Sequence, residues 1–283
     1  MMMLCMGSSF YAGTALYLAA GLMGLAYFWR GSARILTSAV WFAGAGAILL
    51  AAALGFRWAV WGLVPMTTLT DSISLLVVFA TAAIAILMRR PSLRPLAGFY
   101  LPPLSVLAAI SAAAAHERLF SPPRELASIP LVLHVGLAFL AYALFLLAAM
   151  TSAAYLFQAQ RIKRRNLKGL PRRLPSLEQL DHTLSRLVKI GYPLFVLTLV
   201  LGGFWAHAQH GLLGPRWWLA PKVLLSFALA VLYAVAYHRR RSGRLRGPKL
   251  AWLVFSGFSF VLAAYVVLTL LGLYTYNFWE APA

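Results

Sequence analysis

Residues 130–157 read PLVLHVGLAFLAYALFLLAAMTSAAYLF, and this stretch decides the fold class of the chain. It contains no Asp, Glu, Lys or Arg, and His134 is its only side chain that titrates near neutral pH. About 20 mostly apolar residues are enough for an α-helix to cross the hydrocarbon core of a membrane. The stretch is longer than that, so it predicts a transmembrane helix that tilts or projects from the bilayer.

The whole chain repeats this pattern. Of its 283 residues, 62% are hydrophobic and 11% are charged, whereas soluble domains average about 45–50% and about 25%. We predict an all-α polytopic membrane helix bundle with about eight transmembrane helices, which form one membrane-embedded domain over residues 1–283. The predicted spans are residues 10–29, 35–55, 70–88, 96–115, 130–157, 188–207, 219–237 and 250–273.

The positive charges are distributed unevenly between the connecting segments. Nineteen of the 25 Lys and Arg residues lie in the segments that follow spans one, three, five and seven, and Lys189 lies at the start of span six beside one of these segments. Cytoplasmic loops carry such an excess, so we expect these segments inside the cell and both chain termini outside. The largest is a basic cytoplasmic loop over residues 158–187, with a short surface helix near Ser176–Arg186. The net charge of +19 therefore favours contact with anionic lipid over binding to nucleic acid.

Several classes of chemistry are excluded by the residues that the chain lacks. A single cysteine, Cys5, leaves no internal disulfide, CxxC redox pair or thiolate metal cluster. The sequence contains no GxSxG, Walker or HExxH motif. Its six acidic residues are scattered. Hydrolysis and phosphoryl transfer are therefore not expected.

Histidines are the most informative polar residues. His134 lies within a predicted span and has no acidic neighbour in sequence, so a neutral imidazole suited to haem iron is one interpretation. A single interhelical hydrogen bond is an equally simple one. His238 ends span seven beside three arginines. It is either a ligand or a residue that lies at the depth of the lipid headgroups. Two others, His207 and His210, would share a helix face if the helix continues, and His116 and His182 are predicted to lie in loops.

Aromatic side chains gather near the predicted outer ends of the spans. They form either an interfacial aromatic belt or the wall of a ligand site. The residues are Trp58, Trp61, Trp205, Trp217, Trp218 and Phe278.

Four motifs occur in a fixed order between about residues 60 and 275. They are Pro65-Met66-Thr67-Thr68-Leu69-Thr70-Asp71-Ser72; Leu133-His134-Val135 with Ala141-Tyr142-Ala143; Leu180-Asp181, Leu184, Arg186, Gly191-Tyr192-Pro193-Leu194, Thr198-Leu199 and Gly203; and Gly214, Trp217, Pro221-Lys222 and His238. In this order they resemble the cytochrome c assembly family, which comprises CcsA-type haem-handling membrane proteins and their HemX-like and YpjD-like relatives. The corresponding family segments are P-L-S-N-L-Y-E-S-L, H-V…Y-A, L-D-x-L-x-x-R…G-F-P-L-L-T-L…G and W-G-x-x-W-x-W-D-P-K-E.

The resemblance implies a protein that binds haem through histidines and presents it at the outer face to apocytochrome c. His134 would be the external axial ligand and His238 a second ligand near the inner side, with Trp217 and Trp218 beside the haem. The resemblance also implies a CcsB/ResB-type membrane partner and a bacterial inner membrane. The other residues it marks are Pro65, Asp71, Tyr142, Asp181, Arg186, Pro221 and Lys222.

Two departures from the family pattern limit this expectation. The family's W-D-P-K-E is replaced by Leu219-Ala220-Pro221-Lys222-Val223, and Leu273-Tyr274-Thr275-Tyr276-Asn277 stands where the family has a second external histidine. The chain would thus be at most one subunit of a cytochrome c synthetase (haem lyase). The alternatives are a non-catalytic HemX/YpjD-like regulator or scaffold acting through its basic loops, and a small-solute transporter with a helix broken at Pro102 and Pro103.

Overall fold

The computed structural model of the chain describes residues 2–61, 68–114, 128–165, 173–213 and 216–270. Within these ranges eight long helices follow one another and no strand occurs. The helices are α1 (Met2–Arg30), α2 (Ala33–Trp61), α3 (Leu69–Leu87), α4 (Pro95–Ala113), α5 (Ile129–Lys163), α6 (Leu177–Ala208), α7 (Pro221–Arg241) and α8 (Pro248–Leu270).

Each helix overlaps one of the predicted apolar stretches, in the same order. Helices α1 to α7 are long and apolar enough to cross a membrane. Helix α8 has 23 residues, and its segment Pro248–Ala264 is apolar. The predicted polytopic helix bundle is therefore confirmed, while the sidedness of the termini and the single-domain assignment stay predictions. Below, the inner end is the end of the bundle that carries the four basic turns, and the outer end is the opposite one.

Helix α6 is longer than the sequence indicates. We predicted a surface helix near Ser176–Arg186 and a separate span from residue 188, but the structure has one continuous helix, Leu177–Ala208. Ser176 Oγ accepts a hydrogen bond from Gln179 N at 3.3 Å, and Gln179 Oε1 accepts one from Ser176 N at 3.2 Å. This capping box satisfies two backbone donors at the helix start, and no stop signal follows before the predicted boundary.

Helix α4 is unbroken although it contains two prolines. Pro102 and Pro103 remove two backbone donors, yet the helix runs from Pro95 to Ala113. Membrane helices tolerate such prolines where neighbouring helices surround the freed groups, and α1 packs closely along α4. The broken helix that would support a transporter is thus not found at these prolines.

Small residues let α1 approach its neighbours closely. A Cβ atom on Gly46 of α2 would lie 3.0 Å from Gly13 O of α1 and 3.0 Å from the Tyr17 ring. Where α1 meets α4, a Cβ atom on Gly24 would lie 3.2 Å from Gly98 O. Membrane helices associate through such close backbone packing because lipid supplies little hydrophobic drive.

Helix α5 is the centre of the bundle. It packs against α3, α4, α6 and α8, and most of its middle section is buried. Buried hydroxyl pairs join helices at this level. Tyr100 Oη of α4 lies 2.7 Å from Thr151 Oγ1 of α5, and Tyr17 Oη of α1 lies 2.6 Å from Thr81 Oγ1 of α3. Each pair satisfies polar atoms that lipid cannot.

The contact between α1 and α2 gives a matched test of this packing. We expect Gly46→Val to lower the free energy of unfolding by about 1–3 kcal/mol, because the added methyl groups would force α1 away. Gly44→Val, two residues earlier in α2, should change stability little, since a Cβ atom there meets nothing within 4 Å. Thermal unfolding of both variants in detergent measures the difference. Equal losses would contradict the close contact.

Candidate functional site

His134 lies in the second turn of α5 and is half-buried against α6. Its Nδ1 atom is 2.8 Å from the backbone oxygen of Thr198. A carbonyl oxygen can only accept, so Nδ1 carries the proton and Nε2 keeps its lone pair. Among the residues that the structure describes, Nε2 makes no hydrogen bond. Histidines that bind metals are commonly oriented by this kind of bond from the other ring nitrogen.

The His134 ring rests on a glycine of α6. A Cβ atom on Gly202 would lie 2.7 Å from His134 Nδ1, closer than real Cβ contacts allow, and 3.1 Å from Nε2. The resemblance marks the next residue, Gly203, but a Cβ atom there would meet nothing within 4 Å. The glycine that contacts His134 is therefore Gly202, one residue before the glycine that the motif marks.

Two tryptophans pack together one helical turn outward from His134. Trp205 of α6 is buried with Ala206, and Leu131 of α5 and Trp217 pack against them. Trp205 Nε1 donates a hydrogen bond of 2.9 Å to Ser128 Oγ at the start of α5. Leu131 precedes His134 by one turn on the same face, so Trp217 and His134 lie at the same end of the α5–α6 seam.

The two neighbouring predicted residues, Trp218 and Pro221, are both exposed. Trp218 is 52% exposed and lies outside this cluster. Pro221 is the first residue of α7, preceded by the short helical turn Trp217–Leu219.

Tyr142 and Lys222 lie on the seam between α5 and α7. Tyr142 Oη is 3.4 Å from Ser226 Oγ, which donates a 2.8 Å hydrogen bond to Lys222 O. Tyr142 follows His134 by two helical turns. The half-buried Lys222 therefore belongs to the same outer half of the molecule as His134.

His238 lies at the opposite end of the bundle. It is exposed near the end of α7, with its ring 5.9 Å from that of Tyr192 and 5.2 Å from that of Tyr237. With Tyr142 and Ser226 in contact, a rise of 1.5 Å per residue separates His134 from His238 by about 30 Å along the helices. The two predicted ligands therefore cannot bind the same iron.

Asp71 forms an ion pair at the outer ends of α2 and α3. Asp71 Oδ1 is 3.1 Å from Arg57 Nη1, and Thr68 Oγ1 accepts a 3.1 Å hydrogen bond from Asp71 N. The carboxylate is almost fully buried and borders a cleft of about 120 Å³ that Phe10 and Tyr11 of α1 also line. This arrangement fixes α2 to the start of α3.

Asp181 joins three helices at the inner end. Its Oδ2 atom is 2.6 Å from Arg240 Nη2 of α7, and its Oδ1 atom accepts a 2.9 Å hydrogen bond from Gly247 N before α8. Gly247 has a φ of +58°, which favours glycine. Arg186 lies half-buried further along α6. Asp181 lies at the opposite end of α6 from Thr198 and His134, and its contacts hold α6, α7 and the start of α8 together.

The remaining candidate residues are part of neither the site around His134 nor the contacts of Asp181. His207 is exposed, and α6 ends at Ala208, so His207 and His210 do not share one helix as the sequence suggested. His182 is exposed and belongs to α6, where we predicted a loop. In the described ranges no three His, Cys, Asp or Glu residues form a metal-binding group. Several predicted residues lie outside the described residues: Pro65, His116, Gly214 and Tyr276.

The fold and the residues around His134 together define a multi-pass helical membrane protein. At one end of its central helix a histidine is oriented by a hydrogen bond to the neighbouring helix. A family model described as Cytochrome C assembly protein matches residues 41–274. The chain belongs to this family, as the four motifs predicted.

Curated relatives carry two different names. The chain is 38% identical to Protein HemX of Brevibacillus brevis over 116 residues, 41% of this chain and 42% of that protein. It is 33% identical to Protein HemX of Bacillus subtilis over 123 residues, 44% of each chain. It is also 27% identical to the Cytochrome c biogenesis protein CcsA of Prochlorococcus marinus over 260 residues, 80% of this chain and 79% of that protein. The matched part thus spans less than half of each HemX protein.

The contacts of Asp181 with Arg240 and with Gly247 N, which we call the inner clamp, can be tested independently of any ligand. We expect Asp181→Ala to lower the free energy of unfolding by about 1–3 kcal/mol, because a hydrogen bond to a charged group contributes about 1.5–3 kcal/mol and partial exposure weakens it. Glu178→Ala, an exposed acid three residues earlier in α6, should leave stability nearly unchanged. Thermal unfolding in detergent compares the two variants. A loss as large in Glu178→Ala would point to general charge effects instead.

Proposed function

We propose that this protein handles haem in cytochrome c biogenesis and binds it at the outer end of the α5–α6 seam. One observation carries the proposal: His134 is held with Nδ1 protonated by the backbone oxygen of Thr198. That arrangement leaves Nε2 as a neutral ligand atom of the kind haem iron accepts. When bound, haem supplies an iron with open axial positions on a flat apolar ring.

The residues around His134 suit such a group. Thr198 O fixes the tautomer and the ring orientation of the imidazole, while Gly202 lets the ring lie against the backbone of α6. Trp217 adds an aromatic surface at the same end, supported by the buried Trp205. Trp218 is exposed, and we assign it a contact with the haem edge only by resemblance. The proposal does not rest on His238, which lies at the other end.

The cellular setting is part of the proposal. We place the protein in a bacterial inner membrane with its basic turns in the cytoplasm, because the loop charge favours that orientation. The outer end would then face the compartment where apocytochrome c receives haem. A CcsB/ResB-type membrane protein would be its partner, and the chain would act as at most one subunit of a synthetase. The likeness to CcsA over most of its length supports this setting.

A second candidate function is a regulator or scaffold without haem chemistry. The higher identity to the two HemX proteins supports it, as do the exposed basic residues at the inner end. Replacing Lys163, Arg164 and Arg165 with Gln separates the candidates. A regulator that works through its basic turns should lose its activity in cytochrome c maturation, whereas outer-end haem binding should be unaffected.

The ligand assignment is tested by His134→Ala in the purified full-length protein. We expect the Soret absorption of the haem-reconstituted protein to fall to the level of free haem, because the imidazole is the only ligand assigned to this end. Exogenous imidazole should restore the band in part by entering the space left by the side chain. A Soret band identical to that of the unaltered protein would sink the proposal.

The adjacent glycines of α6 give a finer test. We expect Gly202→Ala to weaken haem binding about tenfold, as losing the group that orients a metal ligand commonly does. Gly203→Ala should bind haem like the parent protein, since that position faces open space. Titration of haem at the Soret maximum measures both dissociation constants. If the two variants behave alike, the orientation of His134 by α6 is not what determines binding.

A further inference from the structure

The membrane-facing surface at the inner end of α6 and α7 carries five polar or cationic side chains, which we call the inner patch. It consists of Lys189 and Tyr192 on α6 and Tyr237, His238 and Arg241 on α7. The rings of Tyr192 and Tyr237 are 5.0 Å apart, and the His238 ring meets both edge-on at 5.9 and 5.2 Å. The patch is therefore one contiguous surface across the two helices.

The two permanent cations of the inner patch flank the rings on their inner side. Lys189 precedes Tyr192 by three residues on α6, and Arg241 follows His238 by three residues on α7. Side chains three residues apart share a helix face. The two helices run in opposite directions, so both positions lie one turn closer to the inner end than the rings. Lys189, Arg241 and His238 are all exposed.

No acidic residue of the described chain neutralises these cations. The inner-end acids in the described ranges are Glu178 and Asp181. Asp181 is already bound to Arg240 and to Gly247 N. Glu178 precedes Lys189 by eleven residues, which is about 16 Å along α6. Within the described residues Lys189 has neither an ion pair nor a hydrogen bond.

A cation at this place needs an anion from the membrane. Lys189 lies in the apolar run Leu187-Val188-Lys189-Ile190, where its neighbour Ile190 is 56% exposed. A charged side chain on a lipid-facing surface is costly unless it reaches the headgroups or finds a counter-charge. The inner leaflet of a bacterial membrane offers anionic lipids to the positive residues near its surface.

We propose that the inner patch binds the headgroup of an anionic phospholipid from the inner leaflet. The ammonium of Lys189 and the guanidinium of Arg241 would hold the phosphate, since both donate charge-assisted hydrogen bonds to phosphate oxygens. His238 and the two tyrosine hydroxyls can donate hydrogen bonds to the ester oxygens of the lipid, which lie deeper in the membrane than its phosphate. The exposed Val196 of α6 and Val235 of α7 continue the surface outward and suit an acyl chain.

This inference does not depend on the haem proposal and assigns His238 a different role from the one that the family resemblance implies. It leaves the outer end of the molecule untouched, because the inner patch lies about 30 Å from His134. Loss of lipid binding and loss of haem binding can therefore be measured in separate variants.

The experiment is native mass spectrometry of the full-length protein titrated with phosphatidylglycerol or with phosphatidylcholine of the same acyl chains. We expect phosphatidylglycerol to bind more tightly, and Lys189→Gln to weaken its binding about fivefold, as expected for one cation near a membrane surface. Lys189→Gln with Arg241→Gln should weaken it further, whereas binding of phosphatidylcholine should not change. His238→Gln should reduce phosphatidylglycerol binding by less than Lys189→Gln.

Lys249→Gln is the matched control, because Lys249 is also an exposed lysine at the inner end, on α8. Its phosphatidylglycerol affinity should stay within about twofold of the parent. Equal losses in Lys189→Gln and Lys249→Gln would overturn the proposal in favour of diffuse attraction. It would also be overturned if both lipids bound equally, or if His238→Gln removed a haem absorption band while lipid binding persisted in Lys189→Gln.

Discussion

The hydrocarbon core of the membrane provides no hydrogen-bonding partner, and this constraint governs the rest of the structure. Backbone polar groups must be satisfied within each helix, and polar side chains must bond to a neighbouring helix or to their own turn. Tyr100 with Thr151 and Tyr17 with Thr81 follow the rule at buried positions. Only one ring nitrogen of His134 obeys this rule. Nδ1 donates a hydrogen bond to Thr198 O, whereas Nε2 has no hydrogen-bond partner among the described residues. The candidate site is thus one place where only half of the polar capacity of a side chain is satisfied.

The core between α5, α6 and α7 determines how far apart the two histidines lie. Phe145 stacks on Tyr233 with ring centres 3.6 Å apart and meets Phe195 edge-on at 5.4 Å. A Cβ atom on Gly191 would lie 2.8 Å from the Phe145 ring, so the backbone of α6 comes close to this ring. These contacts fix the register between the helices. In that register His134 and His238 lie on separate surfaces at opposite ends of the bundle.

The sequence predicted the number and order of the helices, because apolar length and loop charge depend on composition alone. It also identified the family, since the motifs keep their order along the chain. It could not choose between Gly202 and Gly203, because that choice depends on how α6 is rotated against α5. It missed the continuity of α6, since charged residues before residue 188 resemble a loop. The sequence also could not give the distance between His134 and His238, because a motif records order along the chain but no distance.

The length of α6 has a mechanical consequence. At 1.5 Å per residue its 32 residues form a rod of about 48 Å, longer than the roughly 30 Å hydrocarbon core. The same rod carries Asp181 near its inner start and Thr198, Gly202 and Trp205 near its outer end. The helix contains Pro193 but continues through it without a break. An axial shift of α6 that loosened the contacts of Asp181 would therefore also displace the backbone on which the His134 ring rests.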